Sequence, residues 1–334
     1  MNSRIEILVN QWASETLDES YREIHAQIRF LSKELFHDYE PIQGQAINFN
    51  TRLENWLDNV SSDSDKKNLF KILSHLFYIG ISEFNTLYRV AYNELIAKWL
   101  IDIENISFND FSNAKSELNQ ALKDCWICPI TDSLNINSFF HVNNIPSTAW
   151  NEMRPQWYGI NEEGPDQPKW NSNLQHINNH NINKIILIED FVGSGSQIEG
   201  VVKFLMEKDL DIEVLVIPLI NCPKGIEKLN QLSRKFEKLS YKAVIELSES
   251  SFISTSPKAD EHLDFITIRE FINRIYDLTS GGLVPGNKIP YSPFGYRDTG
   301  GFLISYSNAP DNTIPVLHCT SKTWVPLFPR HSRN

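Results

Sequence analysis

The sequence of 334 residues is 41% hydrophobic and 22% charged, with a formal net charge of −11. These proportions are typical of a globular protein with a full apolar core, and they exclude a mainly disordered chain. The acidic balance disfavours direct electrostatic binding to nucleic acid or to an anionic membrane. Since no apolar run is long enough to span a membrane and the N-terminus lacks the features of a signal peptide, the sequence predicts a cytoplasmic protein.

The first third of the chain is helical in pattern. Apolar residues recur at helical spacing in three stripes: Ile24, Ile28, Leu31 and Leu35; Leu69, Leu73, Leu76 and Phe77; and Phe84, Leu87, Tyr88, Ala91, Leu95 and Trp99. Such stripes are typical of helices that pack one face against a core. We therefore predict a helical domain over residues 1–120, with a surface available for protein partners.

From residue 121 onward the pattern changes to alternating strands and helices. The sequence predicts strands at 124–130, 184–188, 212–220 and 241–247, and helices at 198–205, 224–239 and 266–278. This alternation requires crossover connections and a mostly parallel sheet. The predicted fold class of residues 121–334 is therefore α/β, with helices flanking the sheet.

Two motifs have the spacing of metal ligands. Cys125 and Cys128 form a C-x-x-C pair, but no second pair completes four ligands, and positions i and i+3 of a strand face opposite sides. We predict that both are buried strand cysteines. His176 and His180 have i, i+4 spacing, but the neighbouring Asn and Pro residues favour solvated loop histidines over a metal-binding helix.

An apolar run at residues 184–188 leads into Glu189 and Asp190, and then into a loop of small residues at 193–197. Such a run is typical of a parallel strand buried on both faces, whose carboxyl end is where open α/β sheets bind ligands. The following helix directs unpaired N–H groups at the loop, which favours an anion. The alternative is an ordinary strand-to-helix turn with fortuitous acids.

This order of two acids, two apolar residues and a small-residue loop resembles the phosphoribosyl-pyrophosphate loop of the type I phosphoribosyltransferases. The resemblance implies that Glu189 and Asp190 are the catalytic acids and contact the ribose hydroxyls. It implies that the 5-phosphate is held by Gly193, Ser194, Gly195, Ser196 and Gln197. It further implies a type I phosphoribosyltransferase-like fold, phosphoribosyl pyrophosphate or a nucleotide as the ligand, and Mg²⁺ as the cofactor.

The loop at residues 131–137 stands, by chain order, where these enzymes hold pyrophosphate, and Asp132 and Ser133 are its candidate binding residues. It contains no Arg or Lys, so the positive charge would come from Mg²⁺ or from another segment. A plain surface loop is the alternative. Residues 145–183 have the position and composition of the mobile flap that precedes the acid-pair strand in the family.

The C-terminal segment is turn-rich and aromatic at residues 281–286 and 290–301, and leads into a predicted strand at 302–306. Aromatic rings beside Asn, Asp and Arg are suited to recognising a base, because every base offers a π face and polar edges. We predict an aromatic hood, with Tyr296 and Trp324 as base-recognition candidates. Packing against the edge of the sheet is the alternative.

A narrower resemblance covers nearly the whole chain. Residues 83–89, 99–100, 191–195, 308–315 and 326–330 look like the corresponding parts of phosphoribosyltransferase-like proteins of bacterial conflict systems, which occur in phage defence and in some retron loci. This resemblance implies an effector in antiviral defence, with defence-system partners bound through the helical domain.

Two functions follow from these patterns. The first is an enzyme that makes or breaks an N-glycosidic bond, either as a phosphoribosyltransferase or as a nucleotide-degrading N-glycosidase. The second is a nucleotide-sensing or scaffold module without turnover. The second is supported by Gly193 and Gln197, which stand where most family members have threonine, and by the missing base at residues 131–137.

Overall fold

The computed structural model describes residues 3–43, 47–148, 151–162, 164, 167–208, 210–281 and 291–331. The chain forms two compact units. The terminal unit combines the residues up to Glu83 with those from Ser248 onward, and the central unit runs from Phe84 to Leu247. None of the helices in the described ranges has the length and hydropathy needed to cross a membrane.

The elements follow one another in this order. The first are α1 Arg4–Thr16, α2 Ser20–Glu34, α3 Phe49–Leu57, α4 Asp63–Ile72 and β1 Phe77–Ile79. The middle of the chain forms α5 Ile81–Val90, α6 Ala97–Ile103, α7 Phe111–Lys123, β2 Trp126–Pro129, α8 Ile136–Val142, α9 Pro168–His180, β3 Lys184–Val192, α10 Ser196–Met206, β4 Glu213–Asn221, α11 Pro223–Lys235, β5 Leu239–Tyr241 and β6 Ile245–Glu246. The last are α12 Asp264–Arg274, α13 Tyr276–Ser280, β7 Tyr291–Ser292, β8 Gly295–Tyr296, β9 Leu303–Ser305 and α14 Pro315–His318.

The central unit is built on a parallel sheet in the order β2-β3-β4-β5, with β6 beside the end of β4. The first six residues of β3 and the last eight of β4 are buried, as expected for strands covered on both faces. Helices α10 and α11 pack on this sheet through Val201, Val202, Leu229 and Leu232. The predicted α/β class with a mostly parallel sheet is confirmed.

Several predicted boundaries differ from the structure. The strand predicted at 241–247 is two short strands, β5 and β6, which pair with different parts of β4. The stripe that included Phe77 is interrupted by the 3₁₀ turn Leu73–His75, so Phe77 begins a strand rather than ending a helix. A single sequence sets element boundaries poorly because pairing partners far along the chain decide them.

Parts of the segment predicted as a mobile flap pack against the rest of the central unit. Trp157 is fully buried, and the N–H groups of Trp157 and Tyr158 both donate to the Ile130 carbonyl, at 3.0 and 2.8 Å. Further on, α9 buries Trp170 and Ile177. Residues 149, 150, 163, 165 and 166 of this segment lie outside the described ranges. The described part from Trp157 onward is therefore held to the end of β2 and to the core of the central unit.

The terminal unit joins the two ends of the chain. Strand β1 pairs in parallel with β9, in a register that places Phe77 opposite Leu303. The strand predicted at 302–306 is thus present, and its partner comes from the N-terminal part. Helices α6 and α7, which the sequence assigned to the N-terminal helical domain, belong to the central unit. The compact units therefore divide the chain differently from the predicted boundary at residue 120.

The C-terminal segment contributes to the core of the terminal unit. The indole N–H groups of Trp56 and Trp324 both donate to the Val316 carbonyl, at 2.7 and 3.0 Å. The Phe328 ring lies 5.2 Å from the Phe36 ring and 5.4 Å from the Tyr39 ring, centroid to centroid. Of the turn-rich stretch predicted here, residues 282–290 lie outside the described ranges.

Candidate functional site

The acid pair lies where the sheet of the central unit loses one strand. Pro129, the last residue of β2, pairs with Ile188, and the Ile130 N–H still donates to the Ile188 carbonyl at 2.9 Å. Beyond that point β3 continues to Val192 with β4 as its neighbour. At Glu189 and Asp190, the edge of β3 that β2 covered is therefore closed by the loop after β2 rather than by a strand.

Glu189 is the anchor of that loop. Its carboxylate accepts hydrogen bonds from the Thr131 N–H at 2.9 Å and from the Thr131 hydroxyl at 2.5 Å, and the Ser133 hydroxyl oxygen lies 3.2 Å from its Oε1. The side chain is 4% exposed. Glu189 thus fixes the first residues of the 131–137 loop against β3, and its oxygens are already occupied by protein donors.

Asp190 is more accessible than Glu189. It is half-buried, and its Oδ1 accepts from the Ser133 hydroxyl at 2.7 Å and from the Phe191 N–H at 2.8 Å. The exposed Asp132 lies between Thr131 and Ser133 in the same loop. The structure therefore brings the two predicted groups together, because the acid pair and the 131–133 loop form one hydrogen-bonded cluster.

The environment of Glu189 disfavours its charge. Burial, and then the neighbouring charge of Asp190, raise the pKa of Glu189 above its ordinary value of 4.5, against the opposing effect of the Thr131 and Ser133 hydrogen bonds. Since the folded state holds the proton more tightly than the unfolded state, the free energy of unfolding falls as the pH rises from 4.5 through the raised pKa.

Replacing Glu189 with glutamine is expected to remove this pH dependence. The amide oxygen can accept from the Thr131 N–H, and the amide NH₂ can donate to hydroxyls that turn to accept. Above the raised pKa we expect Glu189→Gln to be more stable than wild type by about 1–3 kcal/mol, since each pKa unit corresponds to about 1.4 kcal/mol. Urea denaturation at a series of pH values measures this difference. A variant that is less stable than wild type throughout would contradict it.

The small-residue loop leads into the N-terminus of α10. Gly195 has a φ of 73°, in the left-handed region, and no side chain caps the helix that begins at Ser196. The Glu199 N–H is bonded to the Gly195 carbonyl at 2.9 Å. The amides that precede it in the first turn have no partner within the helix and point toward the loop, which is the geometry of an anion site.

Side chains extend this N-terminus. The Ser194 and Ser196 hydroxyls lie 3.1 Å apart and both residues are half-buried, whereas Gln197 is exposed. Gly193 and Gly195 are buried. A Cβ atom on Gly195 would lie 3.0 Å from the Lys228 Cβ of α11, so the loop is closely packed against that helix.

A second glycine, Gly225, also allows α11 to pack closely against the end of β3. A Cβ atom on Gly225, in the first turn of α11, would lie 2.2 Å from the Asn221 Oδ1 and 2.8 Å from the Val192 Cγ1. We expect Gly225→Ala to lower the free energy of unfolding by about 1–3 kcal/mol, because the buried Asn221 and the end of β3 must shift. Gly164→Ala, where an added Cβ meets nothing within 4 Å, is the matched control. Chemical denaturation of both variants checks the expectation, and equal stabilities would refute it.

Two cationic side chains that were not among the predicted site residues approach the site, Arg154 from the predicted flap segment and Lys228 from α11. Arg154 donates from Nη1 to the Asn137 Oδ1 at 2.7 Å and from Nε to the Asn151 carbonyl, and its guanidinium lies 3.9 Å from the centroid of the Phe140 ring. It therefore brings a positive charge to the end of the 131–137 loop. Lys228 pairs with Glu199 in the first turn of α10 at 3.1 Å.

The base-recognition candidates belong to the terminal unit. Trp324 is 1% exposed. With its indole N–H bonded to Val316, it has no ring face open to a base, so it is a core residue. Its burial follows from the aromatic packing of the C-terminal segment. Tyr296 is half-buried in β8, with its ring 5.5 Å from the Arg297 guanidinium. The role of Tyr296 stays a prediction.

The two motifs with metal-ligand spacing have different outcomes. Cys125 and Cys128 are free thiols, and both are buried, as predicted. Burial raises the pKa of each thiol. The prediction that His176 and His180 lie in a loop was wrong, because both lie on α9, with ring centroids 4.6 Å apart. The Pro that argued against a helix stands at its first residue, where proline is well tolerated.

Comparison with known proteins places the chain. Neither a search of curated proteins nor a search of solved structures gives a significant match. A scan against protein-family models matches residues 53–330, most of the chain, to the family described as PRTase-CE. The match spans the acid pair, the loop after β2 and the N-terminus of α10. The chain therefore belongs to the PRTase-CE family and is a phosphoribosyltransferase-like protein.

Proposed function

We propose that the central unit binds a ligand containing ribose 5-phosphate, either phosphoribosyl pyrophosphate or a nucleotide, and makes or breaks its N-glycosidic bond. The observation that supports this most is the short connection between Asp190 and Ser196. It puts a partly exposed carboxylate and an uncapped helix N-terminus at the same end of one buried strand. A ribose phosphate offers hydroxyls to the first and a dianion to the second.

The phosphate end of the ligand would be held by backbone groups. The first-turn amides of α10 and the hydroxyls of Ser194 and Ser196 offer several donors, and the helix dipole favours a negative charge. Gly193 and Gln197 have no hydroxyl, so here the contacts would come from the backbone N–H groups and the exposed Gln197 amide. This arrangement fixes the position of the sugar and supplies orientation rather than covalent catalysis.

The ribose end carries the chemistry. When an N-glycosidic bond forms or breaks, the anomeric carbon develops positive charge, which a nearby carboxylate stabilises. Asp190 suits this role because it is partly exposed and is held by Ser133 and by the Phe191 N–H. Glu189, whose oxygens are occupied by Thr131 and Ser133, positions the 131–133 loop instead.

The donor set suits Mg²⁺, because carboxylates and hydroxyls are the hard oxygen ligands that this ion prefers. Asp190 and the exposed Asp132 are the residues that would hold it, together with the ligand. When bound, Mg²⁺ supplies positive charge to a departing diphosphate. Arg154, at the end of the 131–137 loop, offers a further positive charge on the protein itself.

Titration calorimetry tests the proposal. The purified protein is titrated with phosphoribosyl pyrophosphate and with nucleoside monophosphates, each with and without Mg²⁺, and the mixtures are then analysed for products. We expect binding that Mg²⁺ strengthens, together with conversion of the ligand. Binding without conversion would favour the sensing or scaffold function, and an absence of binding would refute both.

We further propose that this activity serves antiviral defence in bacteria. The support is the resemblance of residues 83–89, 191–195 and 308–315 to proteins of conflict systems. Expression together with the neighbouring genes should reduce plaque formation by phage, and Asp190→Asn should restore it. Equal plaque counts with and without the intact genes would contradict a defence role.

A further inference from the structure

Three metal-ligating side chains converge in the terminal unit. His75 ends the 3₁₀ turn after α4, His262 lies just before α12, and Asp264 is the first residue of α12. Their ligand atoms all lie within 4.8 Å of one another. The fold brings His75 and His262 together although they lie nearly 190 positions apart in the sequence.

The spacing of the ligand atoms suits a tetrahedral ion. The Asp264 Oδ2 lies 3.8 Å from the His75 Nε2 and 3.6 Å from the His262 Nδ1. Zinc binds nitrogen and oxygen at about 2.0–2.2 Å, so neighbouring ligands in a tetrahedron lie about 3.3–3.5 Å apart. Movements of a few tenths of an ångström would bring both distances to that value. The two histidine nitrogens, which lie within 4.8 Å of each other, would have to approach by up to about 1.4 Å.

His75 is already placed as a ligand. Its ring is packed between the Phe265 and Phe302 rings, with centroid separations of 4.7 and 5.5 Å. Its Nε2 is buried and has no hydrogen-bond partner.

The other two residues are oriented by hydrogen bonds. The Lys71 Nζ donates to the Asp264 Oδ1 at 2.9 Å, which leaves the Oδ2 facing the two histidine rings. The His262 Nδ1 accepts from the Asp264 N–H at 3.2 Å, so its lone pair points toward the start of α12. Zinc binding at this nitrogen would replace that hydrogen bond. The imidazole of His262 is 56% exposed, so the site opens to solvent.

We propose that His75, His262 and Asp264 form a Zn²⁺ site, with a solvent molecule as the fourth ligand. Two imidazoles and one carboxylate are ligands that zinc binds well, whereas Mg²⁺ prefers a set of oxygen ligands. The ion would link the 3₁₀ turn after α4 to the start of α12. The site involves no residue of the proposed ribose-phosphate site, so either proposal can fail without the other.

The test compares Zn²⁺ binding by the full chain and two variants. The metal-free protein is titrated with Zn²⁺ in a competition assay against a chromophoric chelator, and its Tm is measured with and without Zn²⁺. We expect one ion per chain, a Tm that rises with Zn²⁺ concentration, and at least a roughly tenfold weaker affinity in His262→Gln. His262 is largely exposed, so this variant should fold.

His180→Gln is the matched control, because His176 and His180 offer the other pair of adjacent imidazoles. This variant should bind Zn²⁺ as wild type does. Co²⁺ substitution adds a spectroscopic readout, since tetrahedral coordination gives a visible absorption that His262→Gln should lose. A wild-type protein that takes up no Zn²⁺, or equal affinities of wild type and His262→Gln, would overturn the proposal.

Discussion

Replacing Asp190 with asparagine is expected to lower the rate of N-glycosidic bond conversion by roughly 100-fold or more, while the fold stays intact. The asparagine oxygen can still accept from the Ser133 hydroxyl and the Phe191 N–H, as the Asp190 Oδ1 does. The substitution removes the negative charge and replaces the other carboxylate oxygen with an NH₂ donor. If that charge stabilises a cation-like sugar in the transition state, its removal affects turnover far more than ground-state binding.

The measurement uses the purified wild type and Asp190→Asn with phosphoribosyl pyrophosphate and a mixture of nucleoside monophosphates, in the presence of Mg²⁺. Products are followed over time by mass spectrometry, and ligand binding by calorimetry. Asp211→Asn, at a fully exposed acid of the same unit, is the control and should match wild type. Indistinguishable metabolite profiles of wild type and Asp190→Asn would contradict a catalytic role for Asp190.

The part of this site that is local in sequence could be predicted. The apolar run at 184–188, the acids after it and the small residues at 193–197 follow one another directly, so one strand, one turn and one helix place them. The structure shows β3, a left-handed Gly195 and an uncapped α10 in that order. Strand β3 continues to Val192, however, so the acids lie within the strand rather than after it.

The contacts between segments could not be predicted in the same way. Thr131 binds Glu189 because β2 ends opposite Ile188, and a register of that kind depends on the pairing of two strands. Arg154 reaches the end of the 131–137 loop only because Trp157 and Tyr158 are bonded to Ile130. The sequence indicated that positive charge would come from Mg²⁺ or from another segment, but it could not say which segment.

The division of the chain into two units could not be predicted for the same reason. Strand β1 has three residues, and nothing in its sequence names β9 as its partner more than 200 positions later. The aromatic core that Trp56, Phe36 and Phe328 share offsets the entropic cost of closing such a long loop. Periodicity recognised the helices of this unit individually, whereas the unit itself exists through contacts between the two ends of the chain.

Replacing Ser196 with aspartate should separate ligand binding from stability. An acid in the first turn of α10 interacts favourably with the helix dipole, by about 0.3–1 kcal/mol, so the Tm should be unchanged or slightly higher. The same carboxylate would repel a bound phosphate. Two like charges about 4 Å apart at the protein surface repel by about 4 kcal/mol, so the affinity for phosphoribosyl pyrophosphate should fall by roughly 100-fold or more.

Ser196→Ala is the matched control, because it removes the hydroxyl without adding a charge and should weaken binding only modestly. Calorimetry with phosphoribosyl pyrophosphate and a thermal melt of each variant provide the two readouts. If Ser196→Asp binds as tightly as wild type, the phosphate does not lie at the N-terminus of α10. A loss of affinity without a loss of Tm would require an anion at that position, since an acid that damaged the fold would lower both.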